Sequence, residues 1–142
     1  MPAPWGRRMS QARPKMNGVL ETVLYFDQEE RTRRFYSDVL GMRLIGHEPG
    51  RSLFYRAGKS VFLLFKAEET LKGGGLPGHG AVGAMHTCFV SPPGEYEAWK
   101  TYLAENGVKV LQETRWGAHK SFYFRDPDAN LLEISDGDMW PT

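Results

Sequence analysis

The sequence holds one cysteine, Cys88, so no intrachain disulfide is available and the fold must rest on a packed interior. At 142 residues the chain is long enough to bury such an interior as one domain. Charge of one sign is also missing: eighteen Lys and Arg against seventeen Asp and Glu leave a net charge of +1. That balance gives no field to draw nucleic acid or an anionic membrane surface. No long apolar run reads as a spanning helix, and no charged start with an apolar stretch reads as a signal peptide, so cytoplasmic residence is the expectation. Hydrophobic residues at 41% and aromatic residues at 13% are ordinary for a globular protein and exclude a disordered chain.

Residues 1–17 combine prolines, arginines and small polar residues without periodicity, which predicts a mobile N-terminal tail. Beyond it the chain repeats itself. ETVLYF at 21–26 matches HTCFVS at 86–91 in pattern, with Thr22 over Thr87. A helical pattern follows each strand, EERTRRFYSDVLG at 29–41 and GEYEAWKTYLAENG at 94–107, and each stops at a glycine, Gly41 or Gly107.

MRLIGHE at 42–48 and VKVLQET at 108–114 predict the next strand of each half. The third match is gapless: SLFYRAGKSVFLLF at 52–65 lies on SFYFRDPDANLLEI at 121–134, with Ser52 over Ser121 and Arg56 over Arg125. Each stretch is two apolar runs broken by turn residues, the pattern of a hairpin. The chain therefore reads as an α+β protein of two tandem βαβββ modules, about 18–70 and 84–138, forming curled mixed sheets around a cleft. The Gly- and Pro-rich segment 72–84 is composed as a flexible connection between them.

On these residues the chain resembles the vicinal oxygen chelate superfamily of glyoxalases, extradiol dioxygenases and bleomycin-resistance proteins. VLYFDQEERTRRFYSDVLGMRLI is similar to the first half of such a protein. SFYFRDPDANLLEI is similar to its closing hairpin, where the family commonly shows D-P-x-G-N-x-x-E. The likeness spans about residues 18–138. Ala129 occupies the usual glycine place in that turn, and the neighbouring Asn130 can take up the left-handed backbone instead.

In the family up to four inward residues hold a divalent metal, and the resemblance carries those places to Glu21, Leu64, His86 and Glu133. Strand alternation sets Glu21 on a face with Val23 and Tyr25, His86 with Cys88 and Val90, and Glu133 with Leu131 and Ser135. Two carboxylates converging on one imidazole would repel each other, and a cation removes that penalty. The set Glu21, His86 and Glu133 resembles a facial triad that suits Fe, Mn, Zn or Ni and leaves positions open for substrate. A hydrogen-bonded polar core with shared protons is the alternative use of the same three residues.

Other residues carry weaker signals. Tyr25 and Cys88 are the candidates for substrate contact, with ordinary packing as the competing role for each. His47, His79 and His119 fall on none of the transferred positions and read as surface or turn histidines. Arg125 reads as a tie for the turn that follows it, and Trp116 and Trp140 as packing residues near a cleft mouth. The resemblance implies a metal-dependent lyase, isomerase or dioxygenase acting on a small oxygen-bearing organic substrate, with Glu21 or Glu133 available as a base. It also admits a non-catalytic binder of the bleomycin-resistance type or a structural partner domain. Pairing between copies is common in the family, and the expectation here is a homodimer.

Overall fold

The computed structural model describes residues 13–141. Most of the expected tail, 1–12, lies outside the described residues; 13–17 are exposed coil. Eight strands and three helices follow in two rounds. The first comprises β1 (Glu21–Phe26), α1 (Glu29–Arg33), β2 (Arg43–Glu48), β3 (Ser52–Ala57), β4 (Ser60–Lys66) and the short α2 (Ala67–Thr70). The second comprises β5 (His86–Val90), α3 (Tyr96–Glu105), β6 (Gln112–Trp116), β7 (His119–Arg125) and β8 (Leu131–Ser135). Each round makes a four-stranded mixed sheet, ordered β1-β4-β3-β2 and β5-β8-β7-β6. The α+β plan of two βαβββ modules stands.

The helices form and stop for local reasons. Glu29 and Glu30 open α1 and Arg31 and Arg33 close it, in the order that complements the helix dipole. The helix then widens into a π-helical turn over Arg34–Val39, closed by Leu40 N–H donating to Phe35 O at 2.9 Å. At the end of α3, Gly107 takes φ 77°, while its N–H donates to Ala104 O and that of Val108 donates to Leu103 O. These are the two bonds of a Schellman cap. The cap takes Val108 out of the expected strand 108–114, and the chain reaches β7 only at Leu111, whose N–H donates to Tyr123 O at 2.8 Å, with the regular ladder starting at Gln112. Val108 and Val110 pack against the core as unpaired chain instead.

One core serves both modules. Leu24, Phe26, Tyr36, Tyr55, Phe62 and Leu64 from the first meet Leu103, Phe122, Phe124, Leu132 and Ile134 from the second. The Phe62 and Phe89 rings meet edge to face, 5.5 Å apart between centres. These residues lie on the helix-covered faces of the sheets. The opposite faces, here called the cup faces, carry Glu21, Val23 and Tyr25 in one sheet and His86, Cys88 and Glu133 in the other.

The second hairpin's turn ties the modules together. Asp126 Oδ1 accepts the N–H groups of Asp128 and Asn130, each at 2.9 Å, and Oδ2 accepts Tyr36 O–H at 2.6 Å and Asn130 Nδ2 at 2.9 Å. Asp128 reaches across to the backbone N–H of Asp27 and to the Thr32 hydroxyl. Burial and the neighbouring Asp126 carboxylate push the Tyr36 phenol well above its ordinary pKa, so it stays a donor. Ala129 itself takes the left-handed conformation at φ 63°, correcting the assignment of that role to Asn130. Asn130 is buried, with its side-chain oxygen accepting Met85 N–H at 2.9 Å.

The hairpins differ by one residue, which corrects the gapless match. Arg56 pairs with Val61 across the first turn, and its repeat mate Arg125 pairs with Leu131 across the second. The longer second turn shifts everything after it, so Leu63 is the structural mate of Glu133. Leu64 faces the helices opposite Leu24 and Leu53 and is fully buried there. It is not an inward position of the cleft.

Two stability measurements check this account of the turn. Asp126→Ala, which strands the buried Tyr36 hydroxyl and the Asn130 amide, lowers unfolding free energy by about 2–4 kcal/mol in urea titration. Ala129→Gly removes the left-handed strain on a residue with a Cβ and raises it by about 0.5–1 kcal/mol.

Candidate functional site

His86 and Glu133 sit on neighbouring parallel strands, paired so that His86 faces Leu131 and Cys88 faces Glu133. His86 Nδ1 lies 2.8 Å from the Leu131 carbonyl oxygen. A carbonyl only accepts, so Nδ1 carries the hydrogen and the ring is held in one orientation. In a neutral ring Nε2 then presents a lone pair, and it stands 3.1 Å from Glu133 Oε1. Two lone pairs do not attract at that distance. Either a proton or a cation has to lie between them.

Glu133 adds a second unmet demand. Its side chain is 5% exposed, and Oε2 is buried without any hydrogen-bond partner. An unpartnered carboxylate oxygen in such a place costs several kcal/mol by the usual burial penalties. Donors bound to one metal at about 2.0–2.2 Å stand about 3 Å apart when they subtend a right angle, close to the His86–Glu133 separation. The donation from Nδ1 to a backbone carbonyl is also the support that metal-bound histidines commonly have. The pair fits a divalent cation in donor type and in spacing.

Glu21 does not join them within one chain. It sits at the exposed start of β1, on the cup face of the other sheet. Among the described residues no three His, Cys, Asp or Glu side chains gather closely enough to hold a metal ion. Leu63 occupies the fourth inward place, so the first sheet offers one candidate ligand, Glu21, and the second sheet two, His86 and Glu133.

Tyr25 lies on the cup face as expected, with a partner that was not. The connection between modules passes over the first sheet and puts His79 Nδ1 2.8 Å from the Tyr25 hydroxyl, its ring against Phe65 at 4.9 Å between centres. Burial raises the Tyr25 phenol above its ordinary pKa. The sequence did not foretell His79 on this face, because a glycine-rich connection has no periodicity that fixes where its side chains go. His47 and His119 behave as local residues, bound to Glu29 at 3.2 Å and Asp136 at 2.9 Å. Arg125 donates to Ala129 O at 3.1 Å and so ties its own turn. Trp116 donates to Ser121 Oγ at 2.9 Å, and Trp140 is exposed.

Cys88 is exposed on the same face as His86, yet its thiol is pushed up to about 12, first by desolvation and then by the Glu133 carboxylate opposite it. Exposure without ionisation makes it a weak nucleophile. In metal-free protein the rate of iodoacetamide alkylation should still be rising above pH 10, and Glu133→Gln should move the inflection down. An inflection near the ordinary thiol range in the unaltered chain would contradict the assigned environment.

Comparison with known proteins agrees with the architecture. The family model described as Glyoxalase/Bleomycin resistance protein/Dioxygenase superfamily matches residues 18–134. Biphenyl-2,3-diol 1,2-dioxygenase 3 of Rhodococcus globerulus is 29% identical over 122 residues, covering 79% of this chain and 59% of its own length. The glyoxalase domain-containing protein RDO1 of Mycosarcoma maydis is 30% identical, covering 94% of this chain and 75% of its own. The crystal structure of lactoylglutathione lyase from Agrobacterium tumefaciens superposes with a TM-score of 0.83 at 33% identity, over 89% of this chain and 98% of that one. The chain thus spans little more than half of the dioxygenase and nearly all of the lyase. With the two βαβββ modules, the D-P-x-x-N turn and the matched residues 18–134 together, the chain belongs to the Glyoxalase/Bleomycin resistance protein/Dioxygenase superfamily.

Proposed function

We propose that the chain is a metal-dependent enzyme acting on a small oxygen-bearing organic substrate, with His86 and Glu133 as metal ligands. The observation that supports this most is the His86 Nε2 lone pair facing Glu133 Oε1 at 3.1 Å, beside an unpartnered buried Oε2. A divalent ion of Fe, Mn, Zn or Ni type would be held by His86 Nε2 and the Glu133 carboxylate. When bound, it supplies Lewis-acid stabilisation to an anion developing on substrate oxygen. The chain's own residues supply the rest. Leu131 O fixes the His86 ring and Tyr123 lies alongside it with ring centres 6.2 Å apart, and in this reading Glu133 or Glu21 serves as the base.

Glu21 is the third ligand in this reading, contributed by a second copy of the chain. Within one copy it stands apart from the His86–Glu133 pair, and the cup face around that pair is open, with Val90 65% exposed two residues beyond Cys88. An exposed valine in line with the ligands suits a face that another copy covers. The homodimer and the shared site are thus one proposal. No helix among the described residues is long and apolar enough to cross a membrane. A lone free cysteine suits a reducing compartment, and we place the chain in the cytoplasm.

The relatives named above include a biphenyl-2,3-diol 1,2-dioxygenase and a lactoylglutathione lyase, and we place the reaction within this range. Metal analysis of protein purified without chelator tests the reading. About one divalent ion per chain is expected, lost in His86→Ala and in Glu133→Ala and weakened in Glu21→Ala. Absence of any bound or titratable ion in the unaltered chain, with ligand binding that survives chelation, would replace the enzyme by a non-catalytic binder. Sedimentation at micromolar concentration should give a dimer. A monomer that still binds the metal would remove Glu21 of a second copy from the ligand set.

A further inference from the structure

The register of the first sheet places a pair of cations on the cup face that carries Glu21. Across β1, β4, β3 and β2 one row reads Glu21, Val61, Arg56 and Arg43, each paired with the next. The next row on the same face reads Val23, Leu63, Phe54 and Gly46. Arg43 and Arg56 are both exposed and stand directly opposite each other, an arrangement in which like charges repel.

Nothing on this face neutralises them. Its two acids are Glu21 and Glu48. Glu48 lies at the far end of β2 and pairs with Arg51 at 3.6 Å, while Glu21 stands across Val61 from Arg56. Among the described residues neither guanidinium has a carboxylate partner or a side-chain hydrogen bond. In the metal reading above Glu21 is committed as a ligand. There Glu21 and Glu133 together offset the charge of a divalent ion, so the charge left over in the cup is that of the two arginines.

The ground between Glu21 and the arginines is apolar. Leu63 is 7% exposed, and the Phe54 ring packs edge to face on Phe65 with 5.4 Å between centres. Gly46 lets the Phe54 ring lie over β2, since a Cβ there would stand 2.9 Å from Phe54 Cδ2. Neighbouring strands about 4.8 Å apart put β3 about 10 Å and β2 about 14 Å from β1. With side chains reaching inward from both edges, that span accepts one ring or a short branched chain.

We propose that Arg43 and Arg56 determine the substrate class: a small carboxylic acid whose carboxylate lies on the two guanidinium groups. Its apolar body lies on Val61, Leu63 and Phe54, and its remaining oxygens point to the Glu21 edge. The proposal rests on the metal reading for that last orientation, and on the strand register for the cationic pair. A carboxylate relieves the repulsion between the arginines, and its two oxygens match the guanidinium fork. A neutral analogue of the same shape keeps the apolar contact and loses the charge-assisted hydrogen bonds.

Arginine side-chain 15N–1H spectra of the full-length chain as purified, with metal content measured on the same sample, test this with phenylacetate and its neutral counterpart phenylacetamide. The Nε–H signals of Arg43 and Arg56, assigned from Arg43→Gln and Arg56→Gln, should move saturably with phenylacetate. The amide should bind about tenfold or more weakly, the difference expected when a charge-assisted hydrogen bond is lost, and each variant should weaken phenylacetate by a similar factor. Arginine signals that stay in place, shifts that do not saturate, or an equal response to acid and amide would overturn the proposal. Saturation in a chain that takes no divalent ion keeps the carboxylate site and removes the metal reading. A chain that takes the ion and leaves both arginine signals in place does the reverse. The comparison of acid with amide uses the unaltered chain, and Arg43→Lys and Arg56→Lys supply the assignments if a glutamine variant fails to fold.

Discussion

The hydrogen-bonded turn at Asp126 is the constraint on which the remaining architecture depends. Two sheets with one apolar face each could pack in several relative orientations, since burial of apolar surface is non-directional. Asp126 makes one of them specific. Its two oxygens gather the turn backbone, the Asn130 amide and the Tyr36 hydroxyl from the other module, and Asp128 extends the grip to the backbone of Asp27. Asn130 in turn receives Met85 N–H, the residue just before β5. The strand that carries His86 is therefore positioned by the same turn that joins the modules.

The extra residue in that turn also makes the two halves chemically unequal. It places Glu133 on the cup face beside His86, whereas the shorter first turn brings Leu63 to the equivalent place beside Glu21. One sheet thus carries an imidazole and a carboxylate in contact, and the other carries a single exposed carboxylate. Arg125 ties its own turn through Ala129 O, whereas its repeat mate Arg56 pairs with Val61 on the face that carries Glu21. A single extra residue in a duplicated unit thus separates the half that carries the His86–Glu133 pair from the half that carries Leu63 in the equivalent place.

Much of the fold was legible because the repeat imposes its own check. Strand, helix and hairpin patterns recur in order, and both helices stop at glycines that adopt positive φ, Gly41 and Gly107. What failed did so for local reasons. The gapless match of 52–65 on 121–134 counted residues but not the length of the turn, so Leu64 stood in for Leu63. Val108 looked like a strand residue, and its N–H closes a helix instead. His86 and Glu133 could be picked out from the resemblance, and the structure brings them to 3.1 Å. Their distance from Glu21 could not be read, since alternation gives a face and says nothing about how two sheets are set in space. His79 was invisible for a related reason: the connection that carries it follows no period.

The claim that carries the functional reading is that His86 holds its proton on Nδ1 and leaves Nε2 for a metal shared with Glu133. The direct measurement is the imidazole 15N spectrum of labelled full-length chain, with His86 assigned by comparison with His86→Gln, before and after one equivalent of Zn2+. The account predicts that in the zinc-loaded chain Nδ1 bears the hydrogen and Nε2 does not, and that the Nε2 signal moves on zinc addition. A doubly protonated His86 ring whose signals ignore zinc would mean a plain ion pair with Glu133 and would contradict the metal site.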